Sequence, residues 1–315
     1  MRIQADVTTY MLNCGFPFFL DEKESKLAET LDSADINTLR LSVFSQTSKL
    51  LTIDDSLSLY DIVDINKQKL YLCVHCSDTW ADPSHQQIPE AWSFANVKQL
   101  KTYFTDYLIS VFEKVIKRGI QVKYIQVGNE ISNGMLWPFL TKPYEYVEFI
   151  KIAHILCREY FPSALIVLHT DLSYSPEKAG EWYELMEMRK VDYDLVGLSY
   201  YPVWHGPLKQ LKKTIDTVTM VTRKNVILCE VGYMNTEEKT SAWFGHWKCD
   251  DIPYSPEGQK EYMDYFKEYL SANISGLHSE MFYWGALSYM DDIHFPVSLF
   301  DRQGKALPAF YQLNK

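Results

Sequence analysis

The sequence predicts a (β/α)8 TIM barrel, an α/β fold formed as a single domain over residues 1–315. Three observations carry that expectation. Short apolar or β-branched runs recur along the whole chain, amphipathic helical patterns fill gaps between them, and no linker or low-complexity stretch divides the chain. The length, 315 residues, suits one barrel of this kind. A doubly wound sheet is the alternative, but no glycine-rich phosphate loop follows the first run.

Eight runs read as strands: Arg2–Val7, Thr38–Val43, Lys69–His75, Val122–Val127, Ala164–His169, Asp194–Ser199, Asn225–Glu230 and Glu280–Trp284. Leu27, Leu31 and Ala34 mark a first helix, and Leu57 to Ile65 suggest a second, less regular one. The clearest helix carries Val97, Leu100, Phe104, Leu108, Val111 and Val115 at steps of three and four, with Gly119 at its end. Tyr144 to Tyr160 is a further helix that stops before Pro162, and Pro256 to Leu270 opens on a proline suited to a first turn.

Composition narrows the function. Hydrophobic residues make up 47% of the chain and charged ones 23%, which supports a large core and argues against disorder. The net charge of -10 opposes binding to a phosphate backbone, so nucleic acid is not an expected partner. No apolar run is long enough to span a membrane. Met1 to Tyr10 contain Arg2, Gln4 and Asp6 and lack a signal peptide's apolar centre. A cytoplasmic location is expected for the sequence as given, or secretion if a leader was trimmed. With 22 Tyr and 8 Trp, some rings are expected on a surface, where flat faces stack on sugars. Of the cysteines Cys14, Cys73, Cys76, Cys157, Cys229 and Cys249, the Cys73–Cys76 pair lies in an apolar strand pattern and reads as buried packing, not redox chemistry.

In such a barrel the chemistry gathers at the C-terminal ends of the strands. Those ends offer Asp6, Arg40, His75 with Asp78, Asn129-Glu130, His169 with Asp171, Tyr200-Tyr201, Glu230 and Trp284. Glu130 and Glu230 each follow an apolar strand, where a carboxylate is costly unless solvated, paired or functional. Two glutamates facing one cleft are what glycoside cleavage needs, one protonating the leaving oxygen and one attacking the anomeric carbon. A metal centre built from His75, Asp78, Asp82, His85, His169 and Asp171 is disfavoured, because no His-x-His opens the first strand. No metal or cofactor is expected.

The string Val127-Gly-Asn-Glu-Ile-Ser-Asn-Gly-Met-Leu-Trp-Pro138 resembles the acid/base motif of glycoside hydrolase family 53, the arabinogalactan endo-β-1,4-galactanases of clan A. His75-Cys-Ser-Asp-Thr-Trp-Ala-Asp-Pro83, Gly197-Leu-Ser-Tyr-Tyr-Pro-Val-Trp-His-Gly206 and Tyr254-Ser-Pro-Glu-Gly-Gln259 extend the resemblance over nearly the whole chain. It implies Glu130 as proton donor and Glu230 as nucleophile, with Arg40 lowering the pKa of Glu230. It further implies Asn129 on the 2-hydroxyl of the cleaved sugar, His75 nearby and Trp284 as an apolar floor. Tyr200 or Tyr201 would orient Glu230, Asp78 would join the binding residues, and Trp80, Trp137 and Trp204 are stacking candidates. The eighth strand departs from the family pattern: Tyr283-Trp284 runs into Gly285-Ala286-Leu287 where a glutamate and a second tryptophan are usual.

The implied activity is retaining hydrolysis of β-1,4-galactan by a monomer. The rival readings are another clan A specificity, such as a β-galactosidase, mannanase or glucanase, and a sugar-binding barrel without turnover.

Overall fold

A computed structural model describes residues 1–12, 17–237, 252–288 and 296–315. Cys14 and Cys249 lie outside them. Eight parallel strands close into a barrel: β1 (Arg2–Asp6), β2 (Thr38–Val43), β3 (Lys69–Val74), β4 (Val122–Val127), β5 (Leu165–Thr170), β6 (Leu195–Tyr200), β7 (Val226–Val231) and β8 (Leu277–Tyr283). The ring closes where β1 pairs with β8 (Arg2 beside Glu280) and with β2 (Asp6 beside Arg40). Each expected strand is present, two of them (Thr38–Val43 and Val122–Val127) with the expected bounds and the rest with ends displaced by at most three residues.

Helices Leu27–Ser33, Val97–Lys117, Pro143–Tyr160, Pro176–Met188, Leu208–Thr222 and Pro256–Asn273 lie between successive strands. The second connection is instead a short helix, Ile53–Leu57, continued by a 3-10 turn over Ser58–Asp61, which accounts for its irregular pattern. After β8 the described residues hold only a 3-10 turn, Phe310–Gln312, so the eighth strand is not followed by a full helix among them. The sequence reading also passed over a hairpin, Phe18–Leu20 with Lys23–Ser25, that bridges to Lys305 beyond β8. No described helix is long and apolar enough to cross a membrane.

The barrel interior is filled by Tyr71, Tyr124, Val167, Leu195, Ile227, Cys229 and Phe282, with Tyr71 edge-on to Phe282 at 4.8 Å. These side chains seal the barrel between its two mouths. Gly197 is required here by space: a Cβ would stand 2.7 Å from the Cys229 sulfur and 2.8 Å from Val167. Cys73, Cys76, Cys157 and Cys229 are buried free thiols, as packing residues should be.

The N-terminal mouth is closed by a buried glutamate. Glu280 accepts hydrogen bonds from Gln4 (3.2 Å) and Tyr124 and pairs with Lys123 at 2.5 Å. Both of its oxygens are occupied.

Candidate active site

Arg40 organises the opposite mouth. It lies within β2, not at its end as the sequence suggested, is 1% exposed, and extends its guanidinium across the barrel. Nη1 meets Asp6 of β1 at 2.5 Å, and Nη2 meets Glu230 of β7 at 2.9 Å. Nη2 also donates to the Asn129 side-chain oxygen at 2.8 Å, and the cation lies 5.5 Å from the Tyr71 ring centre. Burial disfavours the cation, but Cys73, Glu230 and Asp6 outweigh it and raise the Arg40 pKa. Removing one partner of such a buried pair costs about 3–5 kcal/mol.

Glu230 reaches this mouth through an irregularity. Side chains along a regular strand alternate, and Cys229 already points into the barrel. Between Leu198 and Ser199 the β6–β7 register slips, so that Leu198 faces Leu228 but Ser199 faces Glu230. The extra residue in β7 lets Cys229 fill the core while Glu230 turns to the opening. Tyr201 donates to the second Glu230 oxygen at 2.9 Å.

Glu130 is placed by a different device. β4 ends at Val127, Gly128 takes φ +82°, and Glu130 itself sits at φ +49°, ψ +49°. A left-handed conformation costs a side-chain-bearing residue roughly 1–2 kcal/mol. Gln86 braces the turn by donating to the Asn129 carbonyl at 2.7 Å. The turn drops the Glu130 carboxyl into the same pocket as Glu230.

That pocket, about 850 Å³, is lined by both glutamates, Asn129, Trp80, Tyr201, Trp204 and Trp284, together with Asp82, His85, Asp171, Tyr174 and His205. Trp80 stands edge-on to Trp284 at 6.1 Å, and Tyr201 to Trp204 at 5.2 Å. The walls are aromatic and the acidic groups converge at one end, as in a sugar site.

The two carboxyls differ in surroundings. Burial drives the Glu130 pKa well above the usual carboxylate range, and the negative charges of Glu230 and Asp171 push it further. Burial also raises that of Glu230, with Arg40 and the Tyr201 hydroxyl pulling it back. The lowering by Arg40 is therefore present, but Glu230 is so buried that its net direction is upward. Both shifts run upward, but only Glu230 has a cation beside it to oppose the rise.

The model of glycosyl hydrolase family 53 matches residues 6–313. The chain belongs to that family. It is 28% identical over 272 residues to a probable arabinogalactan endo-β-1,4-galactanase A of Neosartorya fischeri, covering 82% of this chain and 75% of that protein. It is also 28% identical over 249 residues to an endo-β-1,4-galactanase of Bacillus subtilis, covering 74% of this chain and 57% of that one. Among solved structures a fungal β-1,4-galactanase superposes with a TM-score of 0.85 at 22% identity, covering 98% of this chain and 97% of that one. The family 53 catalytic domain of Ignisphaera aggregans gives 0.84 at 21%, with coverages of 98% and 94%. The two superpositions bear on the barrel alone.

Within this family 53 chain, four of the expected residues lie behind the pocket wall. Arg40 works through Glu230 and Asn129. His75 is buried against Phe44 and Trp80, accepts from the Ala81 amide at 3.1 Å, and has its pKa lowered to about 3 by burial and by Arg40. Tyr200 donates to the Gly206 carbonyl at 2.8 Å and stacks on Phe266, so Tyr201 is the tyrosine on Glu230. Asp78 accepts from Ser45, from Thr47 (2.6 Å) and from the Glu90 amide (2.7 Å), tying down the loop that carries Trp80. Trp137 bonds the Asn133 carbonyl at 3.1 Å and packs within its own loop. His85 pairs with Asp82 at 2.8 Å, and no cluster of three or more metal-ligating residues occurs among the described ones.

The sequence reading did not mark Tyr174 and His205 as site residues. Their only signal is position: each follows a strand end by a few residues and carries a ring.

Proposed function

We propose that the protein is a retaining glycoside hydrolase acting on β-1,4-linked galactan, with residues 1–315 as one catalytic unit and no second copy required. One observation carries the reading: two buried glutamates share a pocket walled by aromatic rings, one beside an arginine and the other beside further carboxyls. Glu130 protonates the glycosidic oxygen while Glu230 attacks the anomeric carbon, giving a covalent glycosyl-enzyme. Glu130, now ionised, takes a proton from the water that releases the sugar with its configuration retained. Arg40 and Tyr201 hold the Glu230 carboxylate in one orientation before the attack. Asn129, clamped through its oxygen by Arg40 and through its nitrogen by the Ala81 carbonyl at 2.8 Å, retains one N–H to bond the 2-hydroxyl.

The names of the relatives favour galactan over other β-linked glycans. Comparing products from linear β-1,4-galactan, xylan, mannan and β-glucan tests the substrate, and anomeric NMR tests retention. Release of galacto-oligosaccharides from galactan alone is expected. Cleavage of mannan or glucan in its place would replace the specificity. Absence of turnover on every glycan would leave a binding barrel.

A further inference from the structure

We propose that the groove between helices Pro176–Met188 and Leu208–Thr222 continues the pocket on the leaving-group side and binds the distal, reducing-end units of an uncharged galactan chain. The inference rests on the reading of Glu130 as acid and Glu230 as nucleophile acting on galactan. The groove encloses about 710 Å³, within the range of small-ligand sites, and Tyr174, Glu177, Lys178, Gln210, Lys213 and Asp216 are among its walls. Tyr174 also lines the pocket that holds both glutamates, so the two spaces meet at its ring.

The acid decides which end of the chain would lie there. The nucleophile keeps the anomeric carbon, and the departing fragment leaves with the oxygen that Glu130 protonates. That fragment carries the reducing end and extends from the Glu130 side of the pocket. On this side the turn after Glu130 is tied to β5, because the Ser132 hydroxyl donates to Asp171, which also lines the pocket. Three residues on, the Tyr174 ring lies parallel to that of His205 with centres 6.3 Å apart, and the Lys178 ammonium is 5.5 Å from its centre. The tyrosine still keeps 37% of its surface open to solvent. The main chain beneath it is anchored. Ser173 donates to the Ser199 carbonyl at 2.6 Å and its own carbonyl accepts from Thr214 at 2.8 Å, while the Tyr174 carbonyl accepts from Gln210 at 3.0 Å. The passage from pocket to groove is therefore formed before any chain enters, which lowers the ordering cost of binding.

The lining selects the ligand. Lys178 and Lys213 are balanced by Glu177 and Asp216, so the groove has no net formal charge that would draw a phosphate or a uronate chain. It offers donors and acceptors intermixed beside one aromatic ring, and a sugar hydroxyl both donates and accepts. The four charged side chains are exposed, so replacing them leaves the core untouched.

The test follows chain length. β-1,4-Galacto-oligosaccharides labelled at the reducing end, from the disaccharide to the heptasaccharide, are digested by the wild type and by Glu177→Ala combined with Lys213→Ala, both checked by circular dichroism. In the wild type kcat/KM should rise with length. The combined variant should lose about tenfold on the heptasaccharide, through KM, and about twofold at most on the disaccharide. Its labelled fragment should also become shorter, because the reducing end is no longer drawn towards the groove; a general disturbance of the fold would leave that length alone. Equal losses on short and long chains, or a labelled fragment of the same or greater length, overturn the inference. Should the wild type cleave no galactan, the function itself falls. Calorimetric titration of the same oligosaccharides then decides the groove, affinity that rises with length in the wild type alone supporting it and equal affinities overturning it.

Discussion

The barrel buries glutamates at both mouths, and they are treated in opposite ways. Glu280, at the N-terminal mouth, is surrounded by donors from Gln4, Tyr124 and Lys123. Glu130, at the C-terminal mouth, faces the charges of Glu230, Asp171 and Asp82. Both follow the rule that a buried charge needs a partner, but only Glu280 obeys it fully. A carboxyl satisfied from all sides holds a fold together, whereas one crowded by its own kind keeps a proton that it can give away. Burial alone does not mark a catalytic acid; the sign of its neighbours does.

The contrast can be broken most directly at Glu230. Glu230→Gln keeps shape but removes the nucleophile, and turnover of galactan should drop about a thousandfold or more. A rate near wild type would exclude covalent attack by this residue. Glu130→Ala should slow galactan by roughly 10²–10⁴-fold while leaving aryl glycosides with activated leaving groups far less affected. Equal slowing of both substrate types would remove the acid role. Tyr201→Phe takes a donor from Glu230, so kcat should fall about tenfold. The same change raises the pKa of the nucleophile, and the acidic limb of the profile should shift to higher pH. A limb that moves down would contradict the assigned bond.

Stability sharpens the comparison. Glu280→Gln should destabilise the fold by about 1–3 kcal/mol in denaturant melts with kcat per folded molecule unchanged, since Tyr124 and the partly exposed Lys123 lose their carboxylate. Glu130→Gln should do the reverse. The folded-state pKa of Glu130 is raised, so above the ordinary carboxyl pKa the unfolded chain releases a proton more readily than the native state, and stability declines as pH rises through that range. An amide escapes that penalty. Its melting temperature should exceed wild type by about 2–4 °C at pH 7, with the gain vanishing below roughly pH 4, where the carboxyl is protonated in both states. A variant less stable than wild type at pH 7 would mean that Glu130 is satisfied much as Glu280 is.

The strands, their order and the two glutamates were legible because buried parallel strands read as apolar runs whose ends carry polar residues. Glu230 was found for a reason that alternation alone would have denied. With Cys229 pointing inward a regular strand turns the next residue outward, and the slip against β6 that reverses this has no signature in the letters. Tyr200 and Tyr201 could not be separated for the same cause, since parity at a strand end depends on the turn beyond it. Asp78 looked like a site residue by its place in the Ser-Asp-Thr-Trp run, yet it secures the loop that presents Trp80.

The left-handed backbone at Glu130 has a consequence for anyone wishing to hold a glycan in place without cutting it. Glycine enters that conformation without steric strain, and asparagine does so more readily than most residues. Glu130→Asn would thus relax the main chain and delete the proton donor in one change, while the aromatic walls stay as they are. Such a protein should be sturdier than its parent and serve as an inert receptor, suited to trapping an uncleaved chain for crystallography.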